Sequence, residues 1–236
     1  MYYFMFDIHN SKNQAIESHN EYTREKCDNC HAYIIKFNGI YNFRIMGKLY
    51  DCYLSGSSFV ISERFLNVLR ENDFTGFEVS ETSPRYGNVT MEGDLIKEKY
   101  YLLKVTGRCG PVCDMSGEPL PYCRKCNRMI GCTGLITTGF TFNTNKYDGS
   151  DIFAFDNLSH IPIVSERIKD VLIKSKLKNL RFVPLTDYSY RESMDKVHAV
   201  DWINRGVTYP ELIEAWLKYG VLTEQELNEQ LSKNEN

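Results

Sequence analysis

Two Cys-x-x-Cys turns, set far apart, limit how this chain can fold more than any other feature. Cys27-Asp-Asn-Cys30-His31 lies near the N-terminus and Cys123-Arg-Lys-Cys126-Asn127 near the middle, with 92 residues between Cys30 and Cys123. Such a turn puts two thiolates on the same side of a tight knuckle, where both reach one ion at about 2.3 Å; two knuckles complete a tetrahedron. A shared ion would tie two remote parts of the chain together. The position after each knuckle favours a left-handed backbone, for which glycine is the default. His31 and Asn127 stand there instead, and both residue types are enriched in that region, so the knuckle geometry is expected to survive. His31 is also a potential ligand, or a donor to one. Two pairs packed or oxidised separately remain an alternative, as does a thioredoxin-like redox pair, although neither pair opens a helix after a strand.

Eight cysteines would suggest disulfides in a short secreted chain. Here no run of about 18 apolar residues spans a membrane. The opening MYYFMFDIHN reads as a first strand, too short for a signal peptide and without its basic segment or cleavage site. A cytoplasmic protein with reduced thiols is therefore expected. Cys109-Gly-Pro-Val-Cys113 has metal-like proximity, and a ligand swap with the second knuckle is an open alternative. Cys52, in LYDCYL, reads as core packing, and Cys132 sits beside two glycines in a loop. The bland reading of all four is a small buried hydrophobe.

Residues 59–79, FVISERFLNVLRENDFTGFEV, resemble residues 162–182, PIVSERIKDVLIKSKLKNLRF, at a constant offset of 103 without a gap. Each segment reads as a capped helix, a turn and a strand. Ser62 and Ser165 are N-caps, and Glu63 and Glu166 follow where the helix dipole favours an acid. Phe65, Val68 and Leu69, like Ile168, Val171 and Leu172, recur at helical spacing. Gly76 and Asn179 mark the turn; Phe77 and Val79, or Leu180 and Phe182, then alternate as in a half-buried strand.

The first half otherwise reads mainly as strands: YYFMFDI, AYIIKF, YNFRIM, LYDCYL and, at 100–105, YYLLKV. Residues 107–150, rich in Gly, Pro, Cys, Thr and Asn, read as a long loop that something must organise; zinc at the second knuckle would do so. From about Tyr190 the pattern turns helical. RESMDKVHAVDWINRG carries Met194, Val197 and Val200 near one face, Thr208-Tyr-Pro-Glu211 reads as a capping box, and Thr223 starts a last short helix. His198 is read as solvent-facing or a satisfied core histidine.

The expected architecture is α+β: a mainly antiparallel sheet with two duplicated helix–turn–strand units, a four-cysteine zinc knuckle and a helical C-terminal extension. The expected division is 1–188 for the zinc-containing part and 189–236 for the extension. A net charge of −3 gives no electrostatic case for wrapping a nucleic-acid backbone, although Arg124, Lys125, Arg128, Arg108 and Lys104 keep a zinc-ribbon nucleic-acid or transcription-associated module as the alternative. An enzyme is not expected. Four thiolates leave a zinc no open position, and no Gly-x-Ser-x-Gly, His-Glu-x-x-His or phosphate loop is present.

The order of an N-terminal Cys-x-x-Cys, an ISERF…FTGFEV unit, a second Cys-x-x-Cys and a VSER…LRFVPL unit resembles the double-CXXCG motif family, the SitI-type immunity proteins of bacterial polymorphic toxin systems. The likeness covers roughly residues 1–187, with His31 and Asn127 replacing the motif's glycines. It implies a protein that binds a cognate toxin and blocks it by stoichiometric occlusion. It also implies structural zinc on Cys27, Cys30, Cys123 and Cys126, and no catalytic residues.

Overall fold

A computed structural model describes residues 1–8, 13–88, 90–131, 133–192 and 194–234. Cys132 lies outside the described residues, as do the last two residues of the opening segment and of the tail.

Two sheets carry the fold, each built round one of the two similar segments. In the first, the hairpin β6 (Cys52–Ser55) and β7 (Ser58–Ser62) leads into α1 (Glu63–Glu71), and β8 (Phe77–Gly87) returns to the sheet. In the second, β13 (Ile152–Phe155), β14 (Leu158–Ser165), α2 (Glu166–Lys174) and β15 (Leu180–Pro184) follow the same order. Neither returning strand pairs with its own hairpin. Between them lies β10 (Tyr100–Val105) in the first sheet and β1 (Tyr2–Asp7) in the second. The registers correspond: Tyr100 is opposite Ser62 and Tyr2 opposite Ser165. The N-terminal strand therefore completes the later sheet, and a later strand completes the earlier one.

The remaining strands extend this frame. β5 (Tyr41–Ile45) runs parallel to β8, with β2 (Ala15–Glu17) beyond it, and β9 (Glu92–Leu95) folds back on β8. β11 (Gly107–Arg108) runs parallel to β13. Two small ladders stand apart: β12 (Ile136–Thr138) with β16 (Ser189–Arg191), and β3 (Glu21–Lys26) with β4 (Tyr33–Asn38).

The two helices start for the expected reason. The Ser62 and Ser165 hydroxyls accept from the amides of Phe65 and Ile168, from backbones of nearly identical φ and ψ. The turns also match: Asp73 and Lys176 both have φ 52°, and Gly76 (φ 89°) and Asn179 (φ 71°) follow three residues later. At Gly76 only glycine fits, because a Cβ would lie 1.9 Å from the Ile152 carbonyl oxygen.

The halves brace each other reciprocally. Arg64 reaches Asp51 at 3.2 Å in its own half and donates to the Ser175 carbonyl at the end of α2; Arg167 reaches Asp151 at 3.3 Å and donates to the Asn72 carbonyl at the end of α1. Asp51 also accepts from the Lys178 amide, and Asp151 from the Thr75 amide. One core is shared: Tyr3, Phe65, Leu69, Leu103, Ile152, Ile168 and Leu172 belong to a single buried cluster. A second cluster, with Phe4, Cys109, Val112, Phe140 and Phe153, lies under the 107–150 loop. That loop thus packs its apolar residues against the second sheet.

The C-terminal region differs from the sequence reading. Residues 189–191 are strand, because they pair with β12. α3 (Lys196–Asn204) begins later, where the Asp195 carboxylate accepts from the His198 amide. Its buried residues are Ala199 and Ile203, while Val197 is exposed; His198 is exposed and contacts Asp195. α4 (Pro210–Lys218) has Tyr209, not Thr208, as its N-cap, without a side-chain cap. α5 (Glu224–Asn234) is capped reciprocally by Thr223 and Glu226. These helices pack round Trp216, Leu212 and Ile203, with Ile130 from the loop among them. Among the described residues, no helix is long and apolar enough to cross a membrane.

Candidate metal centre

The first knuckle is the turn of the β3–β4 hairpin. The second sits in the central loop, closed by a bridge between Tyr122 and Met129. Both have the same backbone. The His31 amide donates to the Cys27 carbonyl at 2.9 Å and the Asn127 amide to the Cys123 carbonyl at 2.8 Å. His31 and Asn127 have φ of 57° and 58°, the left-handed conformation that these residue types tolerate.

The sulfurs of Cys27, Cys30, Cys123 and Cys126 all lie within 4.8 Å of one another. Across the knuckles, Cys27 and Cys123 are 3.9 Å apart and Cys30 and Cys126 3.6 Å. Four sulfurs at about 2.3 Å from one ion would be about 3.8 Å apart, whereas a disulfide needs about 2.05 Å. All four are free thiols. The donor set and spacing therefore fit a tetrahedral thiophilic cation, with no position left for substrate. Among the described residues, no histidine or carboxylate joins the cluster.

The surroundings favour thiolate at Cys123. Burial pushes the Cys123 thiol up, but the Asn29 side-chain amide, donating at 3.3 Å, and the backbone amides of Cys126 and Lys125 outweigh it and bring the thiol down to about 7. Burial pushes Cys30 up to about 12 and raises Cys126. Cys30 and Cys126 therefore keep their protons unless a cation sits among the sulfurs.

Glu211 holds this arrangement from the C-terminal helices. Its carboxylate accepts from Asn29 at 3.2 Å and from the Arg124 amide at 3.0 Å, so α4 contacts both knuckles at once. Sequence reading assigned Glu211 to a capping box. Asn29 and Glu211 carry no motif of their own, and the only available signal for Asn29 was its place inside the knuckle.

The other cysteines lie elsewhere. Cys109 is buried with its sulfur 3.6 Å from the Ala154 carbonyl oxygen, Cys113 is buried in the loop, and Cys52 donates to the Asn179 carbonyl. Of the basic residues that suggested nucleic-acid binding, Lys104, Arg124 and Lys125 are each matched by a carboxylate, from Glu78, Glu214 and Asp28.

The fold and site together define an α+β protein with a four-cysteine cluster. The profile of the Immunity protein family (Imm11) matches residues 42–187, more than half of the chain; the chain belongs to that family. The match includes Cys123 and Cys126 and begins after Cys27 and Cys30. No curated protein matches the chain.

Proposed function

We propose that this protein binds a cognate toxin in the bacterial cytoplasm and neutralises it by stoichiometric occlusion, with one zinc ion on Cys27, Cys30, Cys123 and Cys126 as a structural cross-link. Membership of the immunity family is the observation that carries the toxin reading. The sulfur spacing and the saturated donor set support zinc and argue against an open catalytic metal. Co-expression with the toxin encoded beside this gene should restore growth; failure against every adjacent toxin removes the reading.

The duplicated units are part of this proposal. Equivalent caps, turns, strand orders and reciprocal braces support an origin in two copies of one strand–hairpin–helix–strand unit, each copy lending its first strand to the other's sheet. In the same reading, residues 1–188 and 189–236 form the two parts of the chain, the second packed against the knuckles.

Replacing either Asn29 or Glu211 by alanine should weaken zinc binding by about 10–100-fold, as loss of a group that orients a ligand does. Competition with a chromogenic chelator measures this. An unchanged affinity in both variants would mean that neither holds the thiolates in place.

A further inference from the structure

The β3–β4 arm is an unusual use of chain. Among the described residues, neither strand pairs with any third strand, so both edges of a six-residue ribbon are open. Most of its side chains are exposed on both faces. A two-stranded ribbon is marginal alone in water; here the aromatic contacts Tyr22–Phe37 and Phe37–Tyr41 secure one end, and the cysteine cluster secures the turn.

The two faces differ chemically. Antiparallel partners share a face, and the register sets Tyr33 opposite Lys26, Ile35 opposite Arg24 and Phe37 opposite Tyr22. Tyr33 and Ile35 are each 55% exposed. Arg24 and Lys26 beside them have no carboxylate partner among the described residues, whereas on the opposite face Lys36 is matched by Glu25. Arg128 adds a further positive group, donating to the Tyr33 carbonyl. At the arm's foot, Phe37 lines a cleft of about 580 Å³ whose other walls include Arg108 and His160 and no carboxylate. In a chain of net charge −3, one face thus combines unmatched cations with an exposed aromatic and an exposed aliphatic side chain.

We propose that this face of the β3–β4 arm, centred on Arg24, Lys26, Tyr33 and Ile35, is the toxin-contact surface, and that it docks on a carboxylate-bearing patch of the toxin. The proposal rests on the immunity reading above. Tyr33 and Ile35 supply the desolvated contact, and aromatic and Arg anchors dominate such contacts. Arg24 and Lys26 select an acidic partner and speed encounter. Charge complementarity separates this surface from the carboxylate-rich remainder of the chain, which would repel the same patch.

The test uses the full chain and a catalytically inactive form of the toxin domain encoded beside the gene, with affinity measured by calorimetry at low and high salt. R24E/K26E and Tyr33→Ala should each weaken binding about a hundredfold or more. Wild-type affinity should fall with added salt, and that dependence should flatten in R24E/K26E. Zinc content and circular dichroism should be unchanged in both variants, because the altered side chains are exposed, and Thr23→Ala on the opposite face should bind as wild type. Undiminished toxin binding by R24E/K26E and Tyr33→Ala overturns this surface and leaves the immunity reading intact. No binding by the wild-type chain removes that reading itself. Loss of single-stranded RNA binding in R24E/K26E, with toxin binding unaffected, would assign the face to nucleic acid and equally overturn the proposal.

Discussion

Replacing Cys123 with serine is expected to leave the purified chain with well under one equivalent of zinc and to free the β3–β4 arm while the two sheets persist. The four cysteines lie outside the shared core of the sheets, so their loss does not empty it. The arm, by contrast, is held by the aromatic contacts at its foot, by its turn and by the Arg128 hydrogen bond to the Tyr33 carbonyl. Structural zinc contributes roughly 10–16 kcal/mol in small zinc-dependent peptides. Losing even a third of that would speed amide exchange in residues 21–38 by about a thousandfold, at about 1.4 kcal/mol for each tenfold step. Hydrogen exchange followed by mass spectrometry should show this, with the amides of β1, β7, β10 and β14 still protected. Chelation of the wild type should reproduce the pattern. Full zinc occupancy in Cys123→Ser, or an arm that stays protected after chelation, would show that the cluster does not hold it.

The second large effect concerns the reciprocal brace. Asp51→Ala should cost about 3–5 kcal/mol, at roughly 1–3 kcal/mol for each buried group it leaves without an acceptor. Asp151→Ala should cost less, about 2–3 kcal/mol. The Arg64 guanidinium is half exposed, so its ion pair contributes little of this. The main loss is the carboxylate that satisfies the Lys178 amide at 2.7 Å and the Ser62 hydroxyl at 3.1 Å. Asp151 is more open and serves the Thr75 amide and hydroxyl. Urea titration measures both, and costs below about 1 kcal/mol would mean that the halves are held by apolar packing alone.

What the sequence disclosed was mostly local. Ser62 and Ser165 could be recognised as caps because a hydroxyl needs only the amide three residues on. The cysteine cluster was legible because a knuckle's chemistry is written within four residues, even though its two halves lie far apart in sequence. β3 was missed: EYTREK has no apolar face, and only its pairing with β4 and the knuckle turn make it a strand. Pro210, at the first helical position, moves the start of α4 one residue past Thr208. That shift frees Glu211 to reach Asn29, so a residue that looked like a cap contacts both knuckles instead. That β1 joins the later sheet and β10 the earlier one was not legible at all, because both read as ordinary apolar strands and nothing local specifies the partner.

The place of β1 in the later sheet affects the order in which the nascent chain becomes ordered. β1 leaves the ribosome long before its partner and meets β14 only after more than 150 further residues have been made. Until then an apolar, aromatic edge has no native strand to pair with and is open to wrong pairing. The earlier sheet waits a shorter time, because β10 follows β7 and α1 closely. Synthesis therefore delivers a nearly complete first half carrying an unmated leading strand, and the molecule closes only when the second half reaches back for it.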